Sequence, residues 1–311
     1  MNFTRTALSV LSTLLVGVGG IFVLPATARQ LDPAVTVQSF SVGHQPAGMA
    51  SDGADIWVSN RTDNTATKLR ASDGALLGNF NVGLNPFGIV FDGANIWIAN
   101  TDSNTVTKLR ASDGALLATY SVGNQPTGLA FDGANIWVTN FGSGNVTKLR
   151  ASDGEPQGTF TVGSQPLGII YDGANMWVAN NSAGTVTKLR ADDGATLGTF
   201  PAGLSPYFLV FDGVNIWVTN PSGSTVRKLR ASDGALAQVL RIDDTPVGIA
   251  FDGTIIWVTL YDAERVVRLQ VRNGDRRHSL TVEANPGNVL FDGTSIWVAN
   301  FGTNTVDKIS R

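Results

Sequence analysis

The chain has no cysteine, only two histidines, and few charges. Its 22 Lys+Arg and 25 Asp+Glu make 15% charged residues, against roughly 25% in ordinary soluble domains. Each shortage excludes chemistry. Without cysteine there is no thiol nucleophile, no disulfide framework and no thiolate-held metal. His44 and His278 lie far apart in sequence and form no His-rich metal motif. A formal net charge of −3 gives no basic footprint for nucleic acid. The composition therefore predicts no metal, no cofactor and no nucleic-acid partner. Beyond residue 28 the chain also lacks any long apolar run and any stretch of helical period.

The first 28 residues read as an export signal. Arg5 is a positive n-region, and Ala7 to Leu24 is an uncharged, largely apolar run. Pro25 ends it, and Ala26-Thr27-Ala28 matches a small-x-small cleavage site. Cleavage after Ala28 leaves a single domain over 29–311 with no membrane span, in the periplasm or outside the cell. The alternative is an uncleaved anchor, since the run is near the lower length limit for a span.

What is abundant is repetition. Trp57, Trp97, Trp137, Trp177, Trp217, Trp257 and Trp297 are each 40 residues apart. Asp-Gly pairs keep the same step from Asp52 to Asp292, as do prolines from Pro46 to Pro286. Seven such units fill 32–311 without insertion. A fixed period of this size means a solenoid, a propeller or an array.

Within one unit, alternation and turn residues predict four short strands. Gly88 to Phe91 is an apolar strand, followed by the turn Asp92-Gly93-Ala94-Asn95. Ile96 to Asn100 is a second strand, "TVTKLR" (105–110) a third and "LLATYSV" (116–122) a fourth. Four strands joined by short connections are a propeller blade, whereas a β-solenoid needs shorter rungs. The fold class is all-β, a seven-bladed β-propeller with four antiparallel strands per blade. Its phase predicts how it closes. The chain stops after the third strand of the last unit, and "VTVQSFSV" (35–42) supplies the missing fourth. This 3+1 latch joins the N- and C-terminal strands and removes an exposed sheet edge.

Most repeated residues read as structural. Along strand two, Trp97 faces one side and Ile96 and Ile98 the other, so the tryptophans are expected between blades. The Lys and Arg of each "KLR" string are expected on a solvated rim, paired with the Asp of the following turn. The Asp-Gly turns lack the clustered oxygens of a calcium loop and read as local turn chemistry.

The strings "IWVAN" (296–300), "IWVTN" (136–140 and 216–220) and "MWVAN" (176–180), with "TVTKLRASDG" and "GTFTVGSQPLGI", resemble YVTN/NHL-type β-propeller repeats across 32–311. The resemblance implies the propeller fold and leaves function open. In repeat style the chain is also similar to the virginiamycin B (streptogramin) lyases, seven-bladed propellers whose His and Glu work near a Mg²⁺ site. Blades of that family commonly read "WFTE", with an acid ending strand two. Here that slot holds Asn60, Asn100, Asn140, Asn180, Asn220, Leu260 and Asn300. No family catalytic residue can be carried over, and the catalytic set is expected to be empty.

Function should reside where the copies differ. The face carrying the strand-two to strand-three loops and the blade crossovers is the variable one. It offers His44, Arg61, Phe141, Tyr207, Phe208, Tyr261 and Phe301, with Asn60, Asn100, Asn140, Asn180, Asn220 and Asn300 as a ring of amides. Aromatic faces stack and amides give directional bonds, which suits a sugar or peptide. No convergent set of His and acid is evident. The expected function is an exported, monomeric, non-enzymatic binding scaffold for a protein, peptide or glycan. The alternatives are a streptogramin lyase-like or lactonase-like enzyme, and a polyanion or single-stranded DNA binder. The last needs a basic groove lined with stacking aromatics.

Overall fold

The computed structural model describes residues 35–310; the segment read as a signal, 1–28, lies outside them. The Asp-Gly turns set the strand boundaries. Asp92 Oδ1 accepts the backbone N–H groups of Ala94 and Asn95 at 2.9 and 2.6 Å. Gly93, at φ +98°, takes a backbone conformation that side chains resist. Between such turns, β1 is Thr36–Ser41, β2 Pro46–Ser51, β3 Asp55–Asn60, β4 Thr65–Arg70 and β5 Leu76–Asn81. Strands β2 to β5 hydrogen-bond in chain order as blade one, and five further blades repeat that order.

Blade seven is the closing blade. Its three strands, Pro286–Phe291, Ile296–Asn300 and Thr305–Ser310, are completed by β1. Val37 stands opposite Ile309 and Phe40 opposite Val306. The inner strand of blade seven also abuts that of blade one. The seven-bladed ring and its 3+1 latch are therefore as the repeat phase predicts. Among the described residues no helix is long and apolar enough to cross a membrane.

The core lies between blades. Trp97 packs on Ile136 and Val138 of blade three, while Ile96 and Ile98 pack on Trp57 of blade one. All seven tryptophans are at most 1% exposed. The innermost edge uses glycine, because consecutive inner strands nearly touch. A Cβ on Gly128 would stand 2.3 Å from the Leu167 carbonyl oxygen of the next blade, a distance no side chain tolerates.

Two expectations about the repeat need correction. The Asp-Gly carboxylates do more than shape a turn: Asp132 Oδ2 accepts the indole N–H of Trp137 at 2.8 Å. Burial pushes the Asp132 carboxyl up, but hydrogen bonds from Trp137, Ala134 and Asn135 outweigh it and hold it below its ordinary value. The lysines of the "KLR" strings are not on a solvated rim. Lys148 is 6% exposed, lies 4.8 Å from the Trp137 ring centroid, and donates to the Ala191 carbonyl of the next blade at 2.7 Å. Lys308 does the same to Ala71, across the closure between blades seven and one. A flexible stem lets lysine bury its methylenes against the indole and still reach carbonyl oxygens. Only the arginines behave as expected: Arg150 pairs with Asp153 at 2.8 Å in solvent.

Candidate functional site

In the five regular blades the second residue after the repeat proline is glycine: Gly48, Gly88, Gly128, Gly168 and Gly248. Blade five puts Phe208 there, and its inner strand shortens to Leu209–Phe211. The peptide groups freed by that shortening are still paired. Tyr207 N–H donates to the Thr219 carbonyl and Thr219 N–H to the Phe208 carbonyl. The Phe208 ring reaches across the channel to Phe87 of blade two, stacked at a centroid distance of 6.2 Å and 15° between planes. Two blades on opposite sides of the ring thus meet across the central channel.

Above this pair lies a pocket of about 430 Å³, within the range of roughly 300–1,000 Å³ usual for small-molecule sites. Its walls include Tyr207, Tyr261, Phe301, Pro221 and Pro46, with Arg61, Asn181 and Asn288 among the polar groups. On the far side of the pair a smaller space of about 150 Å³ is lined by inner-strand glycines and aliphatics. Tyr207 stands edge-on to Phe208 at 4.8 Å. Burial pushes the Tyr207 phenol up, against the lowering effect of Arg61, while Tyr261 adds to the rise. The phenol therefore stays protonated at neutral pH and can donate a hydrogen bond.

The structure brings together Arg61, Tyr207, Phe208, Tyr261 and Phe301 from the sequence-predicted set. Phe141 and His44 are not among the residues lining the pocket. His44 instead meets Asp63, which corrects the expectation that no histidine and acid converge. Its Nδ1 is 2.8 Å from Asp63 Oδ1, and its backbone N–H donates to Oδ2 at 2.7 Å. That backbone hydrogen bond is the main cause holding the Asp63 carboxyl below its ordinary value. The pair sits in solvent. Among the described residues no group of three or more His, Cys, Asp or Glu side chains is placed to hold a metal.

The amide ring is the clearest correction. Asn60, Asn100, Asn140, Asn180, Asn220 and Asn300 are fully buried and present no amide to a ligand. Asn100 Nδ2 donates to Thr105 and Thr107 at 3.1 and 2.9 Å, and its Oδ1 accepts the Gly83 N–H at 3.1 Å. Asn100 and Asn180 tie the incoming crossover to the blade through the Gly83 and Gly163 N–H groups, whereas the buried Oδ1 atoms of Asn60, Asn140, Asn220 and Asn300 find no such donor. Blade six makes the same point by replacement: Leu260 takes the Asn slot and Val267 the Thr slot, both buried in one apolar cluster. Exchanging both partners of a buried polar contact for apolar groups costs little.

Phe87, Val247 and Asn288 line the pocket and were missed from sequence. A signal for Phe87 and Val247 existed, while Asn288, like Phe208, replaces the glycine one position further on. The residue after each repeat proline reads Ala47, Phe87, Thr127, Leu167, Tyr207, Val247 and Gly287, a variable column beside an unvarying one.

The described chain shares its seven-bladed propeller fold with solved structures of unlike proteins. It matches the structure of virginiamycin B lyase from Staphylococcus aureus with a TM-score of 0.76 and 18% identity, over 89% of this chain and 100% of that one. Hydrazine synthase of Kuenenia stuttgartiensis matches with a TM-score of 0.76 and 19% identity, over 86% of this chain and 96% of that one. U3-55K matches with a TM-score of 0.81 and 13% identity, over 88% and 98%. No family model and no curated protein matches, so the YVTN/NHL resemblance stands on the quoted strings alone. One architecture carries all three neighbours and does not select a chemistry.

Proposed function

We propose that the protein is an exported, non-enzymatic β-propeller that works as a monomer and binds a peptide, glycan or protein segment at the channel mouth. The supporting observation is the pocket at the Phe87–Phe208 pair, lined by Tyr207, Tyr261 and Phe301. Rigid aromatic rings give contact area with little loss of side-chain freedom, and the Phe87–Phe208 pair forms a floor under the mouth. Export rests on the pattern of residues 1–28. The test is a glycan and peptide array probed with the wild-type protein and with the double variant Tyr207→Ala/Tyr261→Ala. The double variant should lose at least tenfold in affinity for every hit at an unchanged melting temperature. Hits that survive it would remove the mouth from consideration.

The His44–Asp63 pair favours a second reading, a lyase-like or lactonase-like enzyme. A carboxylate that orients an imidazole is one half of a general-base device. The pair lies outside the pocket and has no third acid beside it, which favours binding over catalysis. A turnover screen on esters, lactones and streptogramins with added Mg²⁺ compares the two readings. Turnover that disappears in His44→Ala would establish the enzyme.

A further inference from the structure

Arg61 is the only charged residue among those lining the mouth. Its Nε donates to Asn85 Oδ1 at 2.7 Å, and its guanidinium lies over Phe87 with Cζ 5.6 Å from the ring centroid. Both contacts hold the planar group in place, and neither neutralises it. No ion pair among the described residues includes Arg61. Asp262, at the rim, is engaged by the Thr245 hydroxyl at 2.5 Å. The whole chain is acidic, with 25 Asp+Glu against 22 Lys+Arg, yet the one charged side chain that lines this pocket is positive.

A half-buried cation among aromatic walls gains most from an anion of matching shape. Guanidinium meets a carboxylate through two parallel N–H donors. Tyr207 lines the same pocket as Arg61, so its phenol is a second donor at the mouth. A phosphate dianion would call for more than one cation, and a neutral sugar would leave Arg61 uncompensated. We propose that the mouth takes a monocarboxylate with an aromatic or apolar body, its carboxylate on Arg61 and its body between Tyr207, Tyr261 and Phe301. This rests on the mouth being the binding site. Two sources share the chemistry: a free aromatic acid, and the C-terminal carboxylate of a peptide ending in an apolar residue.

The experiment is calorimetry on the full chain with four probes: N-acetyl-phenylalanine, its amide, the tripeptide Gly-Gly-Phe and its amide. Each acid should bind at least tenfold more tightly than its amide, and the tighter acid identifies the source. R61Q should bring the acid-to-amide ratio to about one, whereas R61K, which keeps the charge, should retain part of it. Should R61Q fail to fold, a wild-type ratio that shrinks with added salt, together with R61K, carries the same test. Equal binding of acids and amides, a ratio unchanged in R61Q, or no acid binding at millimolar concentration would each overturn the proposal. Amide binding that depends on Tyr207 without any preference for acids would overturn the carboxylate assignment and leave the mouth as the site.

Discussion

Blades three and five share one forty-residue frame. In both, a tryptophan is pinned to the Asp-Gly turn and packed on the next blade: Trp137 on Ile169 and Val178, Trp217 on Ile256 and Val258. In both, a lysine lies over the indole, Lys148 at 4.8 Å and Lys228 at 4.7 Å. They part at the channel. Blade three has Gly128, with no room for a Cβ beside the Leu167 carbonyl. Blade five has Phe208, directed across the axis onto Phe87. The frame that holds blades together and the surface that distinguishes them are therefore different sets of residues. A blade can change its channel residue while its outer contacts stay put, at the cost of half an inner strand.

If the frames are equivalent, Trp137→Ala and Trp217→Ala should destabilise by similar amounts, about 3–5 kcal/mol each in denaturant unfolding. A large inequality would break the comparison. Next in size is the turn carboxylate. Asp132→Ala leaves the Trp137 indole N–H without its acceptor and should cost about 1–3 kcal/mol, more than local turn chemistry alone implies. The same contact sets an acid limb. Hydrogen bonds from Trp137, Ala134 and Asn135 hold the folded carboxyl below the ordinary aspartate value, so its stabilisation is present above that ordinary value and fades as pH falls through the folded one. Melting temperature should drop on acidification below about pH 4, and more shallowly in Asp132→Ala. An identical acid profile in the two proteins would show that the hydrogen bonds to Asp132 contribute nothing.

The smallest expected change in stability sharpens the contrast most. Phe208→Gly restores the regular frame but strips a half-buried ring from the cluster of blades five and six and should cost about 1–2 kcal/mol, while removing half of the pocket floor and weakening ligand binding at least tenfold. The reciprocal change, Gly128→Phe, should destabilise strongly because the facing atom is backbone. Comparable losses in both variants would mean that blade five is no more permissive than blade three.

The fold was legible because its signals are local and repeated. Tryptophan, Asp-Gly and proline columns gave the period, and alternation placed Trp97 opposite Ile96 and Ile98. The phase of the repeat, with a lone strand at 35–42 ahead of the first full unit, pointed to the latch. The candidate site was legible only in part. Arg61, Tyr207, Tyr261 and Phe301 stood out as departures from their columns. Phe87 did not, because an aromatic beside a repeat proline looks like ordinary core. The asparagines misled for the opposite reason. A polar residue ending a strand looks exposed, until the crossover glycine folds over it and the Thr of the next strand takes its hydrogens.

By itself the sequence determined the number of blades, the strands within each, the place of the tryptophans between blades and the manner of closure, since these follow from backbone propensity and a period of fixed length. Only the tertiary structure decided what meets across the ring. The Phe87–Phe208 stack, the uncompensated charge of Arg61 and the His44–Asp63 contact join residues from different strands or blades. So does the burial of the lysines under neighbouring carbonyls. No periodic pattern encodes such contacts, because they arise when a closed circle of sheets brings distant side chains into one small volume and removes water from some of them but not others.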